Sequence, residues 1–422
     1  MPETLLRKFG FLTILCSLMA CSKSAEPPIQ SEPSAAIPVS EIGDITASVE
    51  NDNFIDVVGT CCSFAALKKD GSVTTWGNGY YGGDSRRVDA DLKNIVQIFS
   101  TEFAFAALRD DGKLITWGLK AAGDSSSAQS ELYDIENIYT NSWNFFVHRK
   151  DGALITWPDG QVQVFDDVQH VAVSGTGYAF TKTDGSVIVE DRHASAIEGQ
   201  LNTVDWIYEG NRQASSLVAF TKDGAAVSWG APSEIESFSQ IKNELTHVKS
   251  IVNTVGAYAT LKQDGTVRAW GHHKYGGNND DVINLTEVKS LYANCCAFAA
   301  LKDNGDIHVW GGTLFGESGA KNYGAAIPPQ IRPQLETVTH IYGADRGFIA
   351  QREDGTLVPW GRFKLGSRLI QNLKNPQKII TSNSAIVILG EDGRLLAAGP
   401  PEYGGEMEMI VFPESKRVPD YH

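Results

Sequence analysis

The sequence has little concentrated positive charge and lacks the common catalytic and metal-binding motifs. Its 422 residues carry 36 Lys and Arg against 51 Asp and Glu, and no block of basic residues is longer than two. Phosphate binding needs a concentrated basic surface, so we expect no nucleic-acid partner. The sequence also has no HExxH, P-loop, GxSxG or strand-to-helix GxGxxG motif. We therefore expect no cofactor, no metal and no catalytic residue that a motif identifies.

Long apolar runs are also scarce. One apolar run, residues 9–20, follows Arg7 and Lys8 and is about half the length that a bilayer-spanning helix needs. It predicts a signal peptide over residues 1–20. The end of this segment, Leu18-Met19-Ala20-Cys21, resembles the bacterial lipobox.

The lipobox resemblance implies that the chain is cut before Cys21 and that Cys21 receives fatty-acyl chains of the palmitate type. Several acyl chains on one residue would hold a protein firmly to a membrane. Ser22 implies, by the sorting rule of such lipoproteins, transport to the outer membrane, facing either the periplasm or the cell surface. An ordinary signal peptide with an incidental cysteine is the alternative. Residues 21–44 contain four prolines and no apolar periodicity, which predicts a flexible tether.

One phrase recurs along residues 45–413: an apolar strand, an Asp-Gly or Asn-Gly turn, and a second strand that usually ends in Trp-Gly. Nine copies share this register, at intervals of 33 to 50 residues. The turn supplies the positive backbone φ of a tight hairpin, and the flanking residues alternate as strands do. The turn residues are Asp70, Asp111, Asp151, Asp184, Asp223, Asp264, Asn304, Asp354 and Asp392.

A period of about forty residues is typical of one propeller blade, so we predict an all-β fold, a β-propeller of nine units with seven to nine blades. Each unit should hold three strands and a short outer one. The C-terminal strand should complete the first blade and close the ring, and residues 414–422 should form a tail. The tryptophans expected to pack between blades are Trp76, Trp117, Trp157, Trp229, Trp270, Trp310 and Trp360.

The repeated phrase, apolar-apolar-Ala-Leu-x-x-Asp-Gly followed by Trp-Gly, resembles the RCC1 repeat in its short bacterial form over roughly residues 54–412. The resemblance implies a propeller, usually of seven blades. Six units add a glycine-containing turn after Trp-Gly, whereas units three, four and five lack it. The six turns are residues 79–84, 120–125, 274–279, 313–318, 363–368 and 401–406.

Cysteine is scarce, with six in the chain, and four of them form two adjacent pairs at the same place in units one and seven, Cys61-Cys62 and Cys295-Cys296. Three pairings of these four are possible. Units one and seven are not neighbours in a ring of nine, which argues against two long bridges. Vicinal disulfides and free thiols remain. An exported protein meets an oxidising compartment, which favours the vicinal bridges.

RCC1-like propellers include secreted bacterial inhibitors of β-lactamase, and this resemblance implies a contact position just before each apolar strand. The residues at that position are Cys62, Phe103, Trp143, Thr176, Ser215, Gly256, Cys296, Arg346 and Ser384. The series is mixed, so a shared inhibitor target does not follow. We expect a partner to meet the loop face that carries Trp143, Phe103, Arg346, Cys62 and Cys296, because Trp and Arg most often anchor interfaces. Burial of Phe103 or Trp143 in the core is the alternative.

These observations together predict a membrane-anchored, non-catalytic binding scaffold whose propeller loops hold a protein or another envelope component. The alternative is an envelope enzyme, such as a propeller lyase or hydrolase, with its active residues dispersed among the loops. Export and acidity argue against the nucleotide exchange and chromatin binding of eukaryotic RCC1.

Overall fold

Short antiparallel strands dominate a computed structural model of the chain. The structure describes residues 53–157, 161–175, 177–190, 204–208, 216–222, 224–313, 323–361, 375–382, 385–405 and 409–410. The predicted signal peptide, the Cys21 lipidation site, the tether and the C-terminal tail lie outside the described residues.

Within these residues the strands form nine sheets, which we call blades 1 to 9 in chain order. Blades 1 to 5 contain β1 Phe54–Gly59, β2 Ser63–Lys68 and β3 Val73–Asn78; β4 Ile95–Ser100, β5 Ala104–Arg109 and β6 Leu114–Gly118; β7 Ile135–Thr140, β8 Phe145–Arg149, β9 Leu154–Thr156 and β10 Gln163–Phe165; β11 Val168–Val173, β12 Tyr178–Lys182 and β13 Val187–Glu190; β14 Val204–Tyr208, β15 Ser216–Thr221 and β16 Ala226–Gly230.

Blades 6 to 9 contain β17 Val248–Asn253, β18 Ala257–Lys262 and β19 Val267–Gly271; β20 Val288–Ala293, β21 Ala297–Lys302 and β22 Ile307–Gly311; β23 Val338–Ala344, β24 Gly347–Arg352 and β25 Leu357–Gly361; β26 Pro376–Thr381, β27 Ile386–Gly390 and β28 Leu395–Ala398. A last strand, β29 Met409–Ile410, belongs to the first blade. The α-helices of the described residues are α1 Lys120–Gly123 and α2 Pro232–Ile241.

The first strands of neighbouring blades lie beside one another around a closed ring. Strand β1 contacts both β4 of blade 2 and β26 of blade 9. The Lys378 ammonium lies 2.7 Å from the Asp56 carboxylate across the junction of blades 9 and 1. Between blades 5 and 6 the Tyr208 hydroxyl donates to the Asn253 side-chain oxygen over 3.2 Å. The prediction of an all-β propeller is confirmed, and in the described part of the chain all nine units form blades.

The two ends of the propeller meet in blade 1, where β29 pairs in parallel with β3 at Gly77 and Asn78. The expected short fourth strand in every unit is wrong, because the described residues show one only in blades 1 and 3. In blade 2 Gly118, with φ of 119°, turns the chain directly into α1, and in blade 6 Gly271, with φ of 107°, does the same before a 3-10 turn.

Each blade begins with a bend that the sequence pattern does not predict. We call the first strand of each blade its inner strand. A register shift of the bulge type follows the first residue of every inner strand that the structure describes, as between Phe54 and Asp56. The residue before β1 is Asn53, whose φ is 52° and whose carbonyl accepts a hydrogen bond from the Lys69 amide. The same left-handed residue recurs at Asn94, Asp134, Asp167, His247, Glu287, Thr337 and Asn375. In all of these except Asn375, its carbonyl accepts a hydrogen bond from the amide just before the turn of its own blade.

The Trp-Gly ends of the third strands hold neighbouring blades together. The Trp117 indole of blade 2 stacks on Phe105 with centroids 5.3 Å apart, and its N–H donates to the Gly82 carbonyl in the turn after blade 1 over 3.0 Å. Gly82 has φ of 96°, and a Cβ there would lie 2.5 Å from the Phe105 ring, so only glycine fits. Equivalent bonds join Trp76 to Gly404, Trp310 to Gly276 and Trp360 to Gly324. The seven predicted tryptophans are all buried, as a structural role requires.

The contact between tryptophan and turn is lost after units whose sequence lacks the glycine-containing turn. Trp229 belongs to blade 5 and Trp270 to blade 6, and the preceding units, four and five, lack the turn that would accept their indole N–H groups. Neither buried indole N–H has an acceptor among the described residues. Helix α2 occupies the place of the turn after blade 5, and its Phe238 packs against Trp270 with centroids 5.7 Å apart. In unit seven, part of the predicted turn at 313–318 lies outside the described residues, and Gly324 makes the contact instead.

Candidate functional site

The antiparallel strands place two kinds of loop at one edge of every blade. The loops that join first and second strands and the turns that follow third strands share this edge, whereas the Asp-Gly turns lie at the opposite one. We call the first edge the loop face. The predicted binding residues all lie in its first-to-second-strand loops, at Cys62, Phe103, Trp143, Cys296 and Arg346.

Phe103 and Trp143, from neighbouring blades, are in contact on the loop face. Their ring centroids are 4.3 Å apart with an interplanar angle of 42°. Trp143 is 41% exposed, so it is not a core residue. The Asn141 side chain accepts hydrogen bonds from the amides of Trp143 and Asn144 at 2.9 and 2.7 Å, which fixes the backbone that carries the indole.

Two tyrosines extend this pair into an aromatic row across blades 1 to 3. Tyr81 lies 5.8 Å from Phe103, and Tyr80 lies 5.2 Å from Tyr81, centroid to centroid. We define the aromatic row as Tyr80, Tyr81, Phe103 and Trp143. The two tyrosines were missed as site residues because their turn, residues 79–84, was interpreted only as a turn. Burial raises the pKa of Tyr81 well above its usual range, and the nearby Cys61 and Cys62 raise it further.

The charges of two carboxylates on the loop face, Asp345 of blade 8 and Glu102 of blade 2, influence each other. Burial raises the pKa of Asp345 to about 6, Arg346 opposes that shift, and the charge of Glu102 adds to it. The Arg346 Nε donates to the Asp345 carboxylate over 3.2 Å, so the guanidinium predicted to anchor a partner already takes part in an ion pair. The Ser142 hydroxyl donates to Glu102 over 3.2 Å, next to the aromatic row.

The two cysteine pairs differ in state. Cys295 and Cys296 are joined as a vicinal disulfide, whereas Cys61 and Cys62 are thiols. Cys62 and Cys296 are 8% and 1% exposed, so their side chains lie beneath the loop face rather than on it. The residues at the same position in units four, five and nine, Thr176, Ser215 and Ser384, lie outside the described residues.

A buried acid in the irregular fifth unit had no sequence signal. Glu234, in the first turn of α2, is 2% exposed and accepts a hydrogen bond from the Ser216 hydroxyl. Burial raises the pKa of Glu234 to about 7, and the bond from Ser216 lowers it in part. The Ser216 carbonyl accepts from the hydroxyl of the fully buried Tyr258. These contacts anchor α2 to blades 5 and 6.

The described residues contain neither a group of side chains that could hold a metal ion nor a helix that could span a membrane. Across its described ranges, no three His, Cys, Asp or Glu side chains are grouped so that they could hold a metal ion. No helix in that part of the chain has the length and apolar character to cross a bilayer.

No family model and no curated relative match the sequence. Solved structures that it resembles include the ectodomain of the Physcomitrella patens receptor kinase CR4, with 11% identity, 82% of this chain and 74% of that one covered, and a TM-score of 0.38. Prp20p from Saccharomyces cerevisiae has 11% identity, 74% and 83% coverage and a TM-score of 0.35. Human WBSCR16 has 14% identity, 83% and 87% coverage and a TM-score of 0.37. At these identities and TM-scores the similarities add nothing to the propeller that the nine sheets of the described residues define.

Proposed function

We propose that this protein is a lipid-anchored outer-membrane lipoprotein that works as a non-catalytic binding scaffold, and that its partner docks on the aromatic row. The observation that supports the binding role is the row itself, four rings from three blades with Trp143 exposed at one end. Exposed Trp and Tyr side chains are over-represented among the residues that dominate interface energies. Stability alone does not require an indole at this place.

The scaffold keeps the aromatic row ordered before a partner arrives. The Thr60 hydroxyl donates to the Tyr81 carbonyl over 3.3 Å, and the Glu102 amide donates to the Ser142 carbonyl over 3.0 Å. The loops that carry the rings are thus tied to one another across blade boundaries. Pre-ordered side chains lose little conformational entropy on binding, which favours affinity.

Cross-linking in the envelope tests the binding proposal with a matched pair of variants. Trp143→Ala should lose a partner that wild type captures and that cross-links to residues 79–83 or 101–103. Trp206→Ala is the control, because Trp206 is 39% exposed but lies in the middle of β14, the first strand of blade 5, and not in a loop of the loop face. Equal capture by wild type and Trp143→Ala would show that the row is not the docking site.

The lipid anchor is tested separately by mass spectrometry of the mature N-terminus. A diacylated or triacylated Cys21 at the first position is expected. An uncut chain, or one cut elsewhere, would remove both the anchor and the outer-membrane location from the proposal.

An enzyme acting on an envelope polymer is the second candidate, and one observation favours it. Asp345 and Glu102 are two carboxylates near enough to influence each other, and the pKa of Asp345 is raised to about 6. A carboxyl group whose pKa lies near 6 can serve as a general acid or a general base. Turnover of an envelope polysaccharide or peptide by wild type, lost in Asp345→Asn, would establish this function in place of the first.

A further inference from the structure

The loop of blade 1 that carries Cys61 and Cys62 shares three hydrogen bonds with the loop of blade 7 that carries the vicinal disulfide. In blade 1 the Thr60 amide donates to the Ser63 carbonyl over 2.9 Å. In blade 7 the Asn294 amide donates to the Ala297 carbonyl over 3.0 Å. The Cys62 amide donates to the Thr60 hydroxyl, as the Cys296 amide donates to the Asn294 side chain.

Each of these loops also holds the turn after its own blade. The Thr60 hydroxyl donates to the Tyr81 carbonyl over 3.3 Å, and the Asn294 side-chain amide donates to the Tyr323 carbonyl over 2.8 Å. Three hydrogen bonds of the backbone that accommodates Cys295–Cys296 as a disulfide are therefore repeated around the thiol pair.

Blade 6 shows that this loop does not need cysteine to form. There the Thr254 amide donates to the Ala257 carbonyl over 2.9 Å and the Thr254 hydroxyl donates to the Tyr275 carbonyl over 3.2 Å. The two intervening residues are Val255 and Gly256. Because the loop is complete without sulfur, the fold gives no reason for Cys61 and Cys62 to be adjacent thiols.

We infer that Cys61 and Cys62 form a reversible modification site, a second vicinal disulfide that is made and broken by thiol–disulfide exchange with a disulfide oxidant. Cys61 is half-buried and Cys62 is buried, so the Cys61 thiolate attacks the oxidant first. This step forms a mixed disulfide and releases one thiol of the oxidant. The Cys62 thiolate then displaces the second thiol and forms the Cys61–Cys62 bond. The pair loses two electrons and two protons, and the oxidant, a disulfide, is reduced to two thiols.

Oxidation of this pair acts on one end of the aromatic row. Cys61 directly follows Thr60, which holds the Tyr81 carbonyl, and the Cys61 amide donates to the Glu102 carbonyl over 2.8 Å. Closing the ring between Cys61 and Cys62 restricts the backbone that carries both bonds. The turn at residues 79–83 is therefore better ordered in the disulfide state than in the thiol state. The modification does not depend on the proposed binding function, whereas any effect of it on partner affinity rests on that function.

The test uses the full chain treated with oxidised glutathione, then unfolded in denaturant and alkylated with iodoacetamide before digestion with trypsin, so that buried thiols are also alkylated. Cleavage after Lys23 and Lys68 gives one peptide with Cys61 and Cys62, and cleavage after Lys289 and Lys302 gives another with Cys295 and Cys296. Untreated protein should carry two alkyl groups on the first peptide, and treated protein none until dithiothreitol is added. The second peptide, alkylated only after reduction, is the internal reference.

Two variants identify the order of attack. Cys62→Ser should stop at a glutathione adduct on Cys61, while Cys61→Ser should react with oxidised glutathione much more slowly because Cys62 is buried. Two alkyl groups on the first peptide after treatment, or a lasting glutathione adduct on wild type, would overturn the proposal.

Hydrogen exchange tests the coupling to Tyr81. Amides 79–83 should exchange more slowly in the disulfide state, while the equivalent turn of blade 6, residues 273–277, stays unchanged. Equal rates in both states would disprove the coupling. Partner capture is not a readout in either experiment, so a failed search for a partner would count against the proposed function and not against the modification site.

Discussion

Replacing Gly82 by alanine should weaken the junction between blades 1 and 2 more than the same change weakens an isolated turn. Gly82 has φ of 96°, and a Cβ at this position would lie 2.5 and 2.8 Å from two carbons of the Phe105 ring. Phe105 is fully buried and stacks on Trp117, so its ring has no free space to move into. The Gly82 carbonyl also accepts the Trp117 N–H over 3.0 Å. A displaced turn would lose that bond.

The size of the effect follows from two costs. A side chain in the left-handed region costs about 1–2 kcal/mol. Inserting a methyl group into a well-packed core costs about 1–3 kcal/mol more. Gly112→Ala separates the two, because Gly112 has φ of 81° but nothing within 4 Å of its Cβ position. We expect Gly82→Ala to be less stable than Gly112→Ala by about 1–3 kcal/mol.

Urea unfolding followed by circular dichroism measures this difference. Both variants should unfold at lower urea than wild type, with Gly82→Ala the lower of the two. Equal midpoints for the two variants would refute the reasoning, because the contact between the turn glycine and the next blade would then carry no measurable free energy.

The remaining predictions concern three other parts of the molecule. Trp143→Ala should cost only about 1 kcal/mol of unfolding free energy, the value of one aromatic contact, whereas Trp117→Ala should cost roughly 3–5 kcal/mol; calorimetry compares them. Because the pKa of Glu234 is raised from 4.5 to about 7, its protonated form stabilises the fold below pH 4.5 by about 3 kcal/mol, and this contribution is lost as the pH rises through 7. Glu234→Gln should flatten that part of the stability profile, and an unchanged slope would contradict it. A chain ending at residue 405 lacks β29 and should aggregate through the exposed edge of β3, as light scattering would show.

The blade architecture was predictable because its signals are local. An Asp-Gly turn and its flanking strands lie within fourteen residues, and in the turn of blade 1 the Asp70 carboxylate accepts from the Ser72 amide over 2.9 Å. The left-handed residue before the first strand of every blade except blade 5, where that residue is not described, was not predictable, because Asn, Asp, His, Glu and Thr all occupy it. Tertiary pairing of the strand and the hairpin sets that conformation, and residue preference does not.

The candidate site was only partly predictable, because some of its contacts join different blades. Phe103 and Trp143 were identified from their equivalent positions in the repeat, but Tyr81 joins them through a contact between different blades. The influence of the Glu102 charge on Asp345 joins blades 2 and 8, and no short segment of sequence contains that information. The turns that units four and five lack would lie next to Trp229 of blade 5 and Trp270 of blade 6, whose indole N–H groups have no acceptor among the described residues.

The hydrogen bond from Trp76 to Gly404 has the same chemistry as that from Trp117 to Gly82, but it spans 328 residues of chain where the other spans 35. The entropy of loop closure grows only with the logarithm of length, so the longer contact costs about 2 kcal/mol more. The larger difference is one of timing. During synthesis blade 2 can dock on blade 1 as soon as it emerges, whereas Trp76 waits for nearly the whole propeller to be made. Until then one apolar blade flank stays open to solvent, and this is the interval in which the nascent chain is most exposed to misassembly.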